Sequence, residues 1–267
     1  MISITCSHIG LTNLNKQTAT KQMPLCRSLM AIALTLFITG TSGHANQAEN
    51  HYIKSGNEKM EEGDYKGSLS DFEKALKLMP NNDVAHYKRG VARLQLGMHT
   101  EALSDFNKAV EINPKYWQAL ANRGVTKAAI GNYSQESLEA AIDDYTRSIA
   151  INPDNEYAYG NRGAAHRRLG QMEKAMIDFN KALKIDPNNA FNWSKRGFLK
   201  GAMGDPHGAI DDINRSLEID PDDAEAIAGR GVAKAVLGNM QAACADWRMA
   251  ANLGDQRSIF QVKQTCE

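Results

Sequence analysis

The sequence predicts an all-α fold in which helical hairpins repeat along the chain and stack into a solenoid. Three observations predict it. Prolines recur at Pro80, Pro114, Pro153, Pro187 and Pro221, with gaps of 34, 39, 34 and 34 residues. Arg-Gly pairs at Arg89-Gly90, Arg123-Gly124, Arg162-Gly163, Arg196-Gly197 and Arg230-Gly231 recur with the same gaps, so the 39 marks a five-residue insertion, near Ser134 to Ala140. Aromatics make up only 7% of the chain while hydrophobics reach 42%, a balance that suits close helix packing better than a broad β core.

The chain opens differently from the rest. Residues 1–45 hold three basic residues (Lys16, Lys21, Arg27) and no acid, which leaves 28 basic and 31 acidic residues beyond them. Arg27 precedes a short apolar run, Leu29 to Ile38, and small residues follow with Gly43-His44-Ala45 as a cleavage site. This ten-residue run, apolar but for Thr35, spans about half of a bilayer core, so residues 1–45 are expected to be a signal peptide rather than a stable transmembrane anchor, with Met23 as an alternative start. The expected location is exported, periplasmic or secreted, or membrane-anchored if the leader is not cleaved.

Within the repeat each column has a physical task. Gly56, Gly90, Gly124, Gly163, Gly197 and Gly231 lie inside a first helix, where glycine costs about 1 kcal/mol against alanine; the cost is tolerable only where a second helix closes on the backbone. Gly63, Gly97, Gly131, Gly170, Gly204 and Gly238 end that helix in the left-handed conformation. On the second helix Phe72, Phe106, Tyr145, Phe179, Ile213 and Trp247 form a large column, flanked by Ala or Ser four before and three after on one face. Proline then stops the unit, and Asn82, Asn155, Asn189 and Asp223 cap the next. Asp205-Pro206 reads as a cap followed by a first-turn proline. One hairpin cannot hide its own apolar face, so neighbours must stack.

The order Gly90, Gly97, Ala102, Phe106, Ala109, Pro114 resembles the tetratricopeptide repeat, in a flavour (Asn122-Arg123-Gly124, Asn161-Arg162-Gly163) similar to bacterial examples. The resemblance implies a right-handed α-solenoid of about six hairpins in residues 46–254, with units at about 49–82, 83–116, 117–155, 156–189, 190–223 and 224–254. A C-terminal capping segment, residues 255–267, carries a helix over 256–265 whose Ile259, Phe260 and Val262 cover the open end.

The resemblance also implies that the first helices line a concave groove for a protein or peptide. Tyr87, Asn122, Tyr157, Asn161, Arg168, Phe191, Lys195 and Phe198 are the candidate partner-binding residues. Their aromatics would seat side chains and the equivalent Asn122 and Asn161 would clasp an extended backbone. The clamp with which cytosolic chaperone-binding members hold a terminal carboxylate is not matched: Asn57 fits one position, but Ile53, Lys88, Gln118 and Asn122 stand at the others.

Repeated acids (Asp71, Asp105, Asp144, Asp178, Asp212, Asp246) precede the large column and read as ion-pair partners of the Arg column. Successive acids are too far apart to share an ion. Cys244 and Cys266 are expected to form a disulfide that staples the cap and adds about 3 kcal/mol. No catalytic, metal-binding or cofactor motif appears, and the chain is expected not to be an enzyme. Equal numbers of basic and acidic residues, 31 each, give no case for nucleic acid, and no small-molecule substrate is expected. The expected function is a non-enzymatic scaffold or adaptor for assembling or regulating an extracytoplasmic complex. The alternative is a self-associating structural protein.

Overall fold

The structure, a computed structural model, describes residues 47–266. The expected signal peptide lies outside the described residues. Those described form thirteen helices and no strand. They are α1 (residues 47–61), α2 (Tyr65–Leu78), α3 (Asp83–Gln95), α4 (His99–Ile112), α5 (Trp117–Ile130), α6 (Gln135–Ile151) and α7 (Glu156–Arg168), then α8 (Met172–Ile185), α9 (Ala190–Ala202), α10 (Pro206–Ile219), α11 (Ala224–Val236), α12 (Met240–Asn252) and α13 (Gln256–Thr265). Two compact units are present, one ending at Ala85 and one beginning at His86.

In the first unit α2 lays Phe72 against α1 at Gly56, where a Cβ would meet the ring at 2.7 Å. Ala75, Leu76 and Ala85 pack with Tyr52 and Ile53. Ser55 stands where later units carry arginine, and its hydroxyl donates to Asp71 at 2.7 Å, with Lys59 Nζ at 2.5 Å and Lys74 Nζ at 2.9 Å. Burial pushes the Asp71 carboxyl up, but the hydrogen bonds from Lys59, Ser55 and Lys74 together win and hold it at about 2. A carboxylate held below its unfolded value contributes stability above that value. This hairpin is therefore expected to keep its stability down to about pH 3.8 and lose the Asp71 share as pH falls to about 2. A pH series of denaturant unfolding on the wild type and Lys59→Met should show the two curves converging below that window.

In the second unit each odd-numbered helix pairs with the even-numbered helix that follows it, as in α5 with α6 and α9 with α10. Each even-numbered helix then packs on the next odd-numbered one, through α12 on α13. The large column fills the glycine gaps as the spacing predicts: a Cβ at Gly90 would meet Phe106 at 2.8 Å, and one at Gly197 would meet Ile213 at 2.7 Å and the Ala209 carbonyl at 3.0 Å. The caps form as well. Asn155, Asn189 and Asp223 accept from the backbone N–H groups of Ala158, Asn192 and Ala226, and Asp205 accepts from Gly208 behind Pro206. Ser148 and Ser216, where other units have alanine, each send a hydroxyl 2.8 Å to a backbone carbonyl at the start of the same hairpin, Trp117 and Ala190.

The five arginines and aspartates form a buried ladder. Arg123 Nε and Nη2 hold Asp144 at 2.9 and 2.5 Å, and Arg89, Arg162, Arg196 and Arg230 fork onto their own aspartates in the same way. A second cation one helical turn on completes most rungs: Arg93, Lys127, Lys200 and Lys234 all lie within 2.9 Å of the same carboxylate. The remaining arginine nitrogen reaches back to the previous hairpin, where Nη1 of Arg123, Arg162, Arg196 and Arg230 donates to Asn107, Thr146, Asn180 and Asn214. Each of these four arginines thus ties its own hairpin together and joins it to the one before.

Two expectations need correction. Gly131 does not take the left-handed conformation of its column (φ −75°); Asn132 (φ 49°) and Tyr133 (φ 57°) take it instead. The insertion supplies a longer turn there and lengthens α6 to 17 residues, so the reversal no longer falls on the glycine. Phe260 does not cover the open end: it is 65% exposed, while Val262 packs with Cys244 and Trp247.

Cys244 on α12 and Cys266 after α13 are joined, with Cα atoms 5.7 Å apart and 22 residues of separation. Arg248 Nη2 also donates to the Cys266 carbonyl at 2.9 Å. Closing a loop of that length is worth about 3 kcal/mol. Cys244→Ser with Cys266→Ser is expected to speed amide exchange across α13 severalfold while leaving α7 to α10 unchanged, as read by hydrogen–deuterium exchange.

Candidate functional site

The second unit curves because its two helix layers pack differently. Besides the pairings along the chain, α5 packs on α7, α7 on α9 and α9 on α11. No successive pair of even-numbered helices packs as closely among the described residues. A stack whose odd helices touch while its even helices spread is concave on the odd side. All eight candidate residues lie on odd helices of this unit.

They divide by what already occupies them. Tyr87 is half-buried, its ring 4.9 Å from that of Tyr116 and 6.0 Å from that of Phe106. Burial pushes its phenol pKa up, partly offset by a hydrogen bond from Asn122 at 3.4 Å. Tyr87 is thus largely committed to packing. Asn122 and Asn161 are geometrically equivalent: each Nδ2 donates to the backbone carbonyl four residues back, Gln118 at 3.0 Å and Tyr157 at 2.8 Å. Each keeps its carbonyl oxygen for an incoming donor. Tyr157 and Phe191 are 41% and 42% exposed, large apolar surfaces on the inner face. Lys195 sits between two rings, 5.3 Å from Phe191 and 5.2 Å from Phe198, and pairs with Glu225 at 2.7 Å. Arg168 lies over the Tyr133 ring at 4.2 Å.

Asn161 and Arg168 border a small recess of about 70 Å³ whose floor includes Leu138, Tyr145 and Ala165. Tyr133 forms one wall, and sequence reasoning missed it: it lies in the insertion, outside the columns, and only its left-handed backbone turns it onto Arg168. Val232 on α11 was missed as well. It is 55% exposed and extends the apolar row through Phe198. Its signal was present, since it stands 34 residues after Phe198. Among the described residues no cluster of three or more His, Cys, Asp or Glu could hold a metal ion, and no helix is long and apolar enough to cross a membrane.

Comparison with known proteins places this architecture. The tetratricopeptide repeat model matches residues 84–116 and 156–189, and a second TPR repeat model matches residues 56–97 and 132–170. A search of the curated proteins finds no match. Among solved structures, PilF of Pseudomonas aeruginosa superposes with a TM-score of 0.70 at 17% identity over 84% of this chain and 100% of that one. PilW, described as a widely conserved type IV pilus biogenesis factor, gives 0.71 at 21% identity over 81% and 98%. TTC0263, a thermophilic TPR protein of Thermus thermophilus, gives 0.59 at 24% identity over 70% and 98%. These likenesses establish the fold. The helix pairs, their glycine and proline columns and the two family models agree: this chain is an α-solenoid built from tetratricopeptide repeats.

Proposed function

We propose that the protein is a non-enzymatic scaffold whose concave face, formed by α5, α7, α9 and α11, holds an extended segment of another protein. The observation that carries this reading is the division of the inner face. Exposed Tyr157, Phe191 and Val232 supply apolar area, while Asn122 and Asn161 each keep a side-chain carbonyl oxygen at equivalent positions one repeat apart. An extended chain offers side chains and backbone N–H groups at regular intervals and can use both. The basic, apolar leader supports export, and assembly or regulation of an envelope complex is the setting we propose. PilW, a pilus biogenesis factor, shares the fold.

The test uses a displayed library of random peptides selected against residues 46–267. Selected peptides are expected to bind a monomer. Tyr157→Ala with Asn161→Ala should weaken them by about tenfold or more, the loss of one aromatic anchor and one hydrogen bond. Ile177→Asp, 67% exposed on α8, should leave them unchanged. Binding that follows Ile177 and ignores Tyr157 and Asn161 would refute the assignment. A second reading, self-association, rests on the apolar C-terminal hairpin and cap, where Met249, Leu253 and Phe260 are 45%, 43% and 65% exposed. Light scattering that showed oligomers dissolved by Phe260→Asp would favour it.

A further inference from the structure

The capping helix α13 has two unlike faces. On one, Ser258 is buried, and Val262 and Cys266 pack with Cys244 and Trp247 of α12. On the other, Gln256, Arg257, Phe260, Lys263 and Gln264 are all exposed. Phe260 lies at the middle of that outer face. Arg257 and Lys263 stand three residues before and after it, the spacing of surface neighbours on a helix, so a positive charge flanks the ring on each side.

A ring left 65% exposed contributes little to holding the fold, and the cap is fixed without it. The Cys244–Cys266 disulfide ties down its far end, Arg248 Nη2 donates to the Cys266 carbonyl at 2.9 Å, and Asp255 caps the first turn by accepting from the Ser258 N–H at 2.7 Å. The charges are uncommitted too. Neither Arg257 nor Lys263 has an ion-pair partner among the described residues, whereas the ladder arginines fork onto aspartates. No acidic residue lies on α13, and the exposed Arg248 puts a third positive charge beside its last turn.

We infer that the outer face of α13 docks on an anionic phospholipid surface, with the Phe260 ring in the headgroup layer and Arg257, Lys263 and Arg248 against the phosphates. Complementary charge is the argument. Headgroups offer negative charge at any register, so long flexible bases need no fixed partners, and the acyl boundary receives a ring without a shaped pocket. A second copy fits worse, because a two-fold contact through this face would set the bases of one copy against those of the other. One ring and three bases make a weak, reversible contact rather than a stable anchor. It would hold the C-terminal end of the array at a membrane, whatever the inner face binds.

The test places benzoyl-phenylalanine at position 260 of the full-length protein, which keeps an aromatic ring there, and irradiates it with vesicles of phosphatidylglycerol and phosphatidylcholine in equal parts. Lipid adducts at position 260, read by mass spectrometry, are expected. Their yield should fall about tenfold or more in vesicles of phosphatidylcholine alone, and likewise in the Arg257→Gln with Lys263→Gln background, because each base near an anionic surface adds to the attraction. Salt at about 0.5 M should suppress the yield severalfold. The same probe in place of Ile177, 67% exposed on α8, should give few adducts. Both bases are exposed, so amide exchange across α13 should be unchanged in the double variant. Equal yields from the two vesicle types, a yield indifferent to the loss of both bases, equal adducts from position 177, or no adduct at all would each overturn the assignment. A crosslink from position 260 to a second copy of the chain in place of lipid would overturn it too, and would favour self-association.

Discussion

Arg162→Leu is expected to destabilise the second unit by about 3–5 kcal/mol, the cost of leaving a buried carboxylate without its ion-pair partner. The carboxylate is Asp178, 2% exposed and held by Arg162 Nε and Nη2 at 2.9 and 2.7 Å. In the other rungs of this unit an arginine or lysine one turn further on would still stand against the aspartate. Here that position is His166, whose Nε2 lies 3.8 Å away. Burial lowers the His166 pKa, while Gln171 and Asp178 work against that shift. Its Nδ1 lies 2.7 Å from Gln171 Oε1, which can only accept, so a neutral ring turns a bare Nε2 toward Asp178. The sharp control is Arg196→Leu, which leaves Lys200 Nζ 2.9 Å from Asp212 and should cost distinctly less. Replacing both partners, Arg162→Leu with Asp178→Leu, should recover most of the loss. Urea unfolding of the four proteins decides it; equal losses for Arg162→Leu and Arg196→Leu would remove the distinction.

Phe179→Ala is expected to cost about 3–5 kcal/mol, the range for deleting a fully buried ring. Phe179 is 0% exposed and packs with Ala175 and Leu199 over Gly163, where a Cβ would meet the ring at 3.1 Å. The two positions should therefore be coupled. Gly163→Ala alone must push the ring aside, which offsets the roughly 1 kcal/mol that alanine brings to a helix. In the Phe179→Ala background that obstacle is gone, and the same substitution should become stabilising. A double-mutant cycle by urea unfolding measures the difference; strict additivity would show that glycine is not there to admit the ring.

Most of the scaffold was legible because it is written as spacing. Glycine, proline and the large column recur by position, so one period exposes them all, and the glycine–ring contacts follow from it. The second cation column escaped notice although it keeps the same spacing. Its residues alternate among Lys, Arg and His (Lys59, Arg93, Lys127, His166, Lys200, Lys234), and only shared contact with one carboxylate unites them. Asn107, Thr146, Asn180 and Asn214 were hidden for the same reason: each matters through the arginine of the next hairpin. Gly131 misled because a column predicts conformation only while the loop length is constant. The site was less legible than the fold. Tyr133 acts from the insertion, outside every column, and Lys195 is placed between two rings by its neighbours Phe191 and Phe198. Such residues follow from where elements meet in space, which a repeat period does not encode.

The most direct test of the scaffold reading is site-specific photo-crosslinking of the full-length protein in its native compartment. A benzoyl-phenylalanine at position 161 or 191 lies on the concave face, and one at 177 lies on the opposite helix layer. A discrete crosslinked partner is expected from 161 and 191, lost in the Tyr157→Ala background, and none from 177. A partner captured from 177 alone would contradict the scaffold reading.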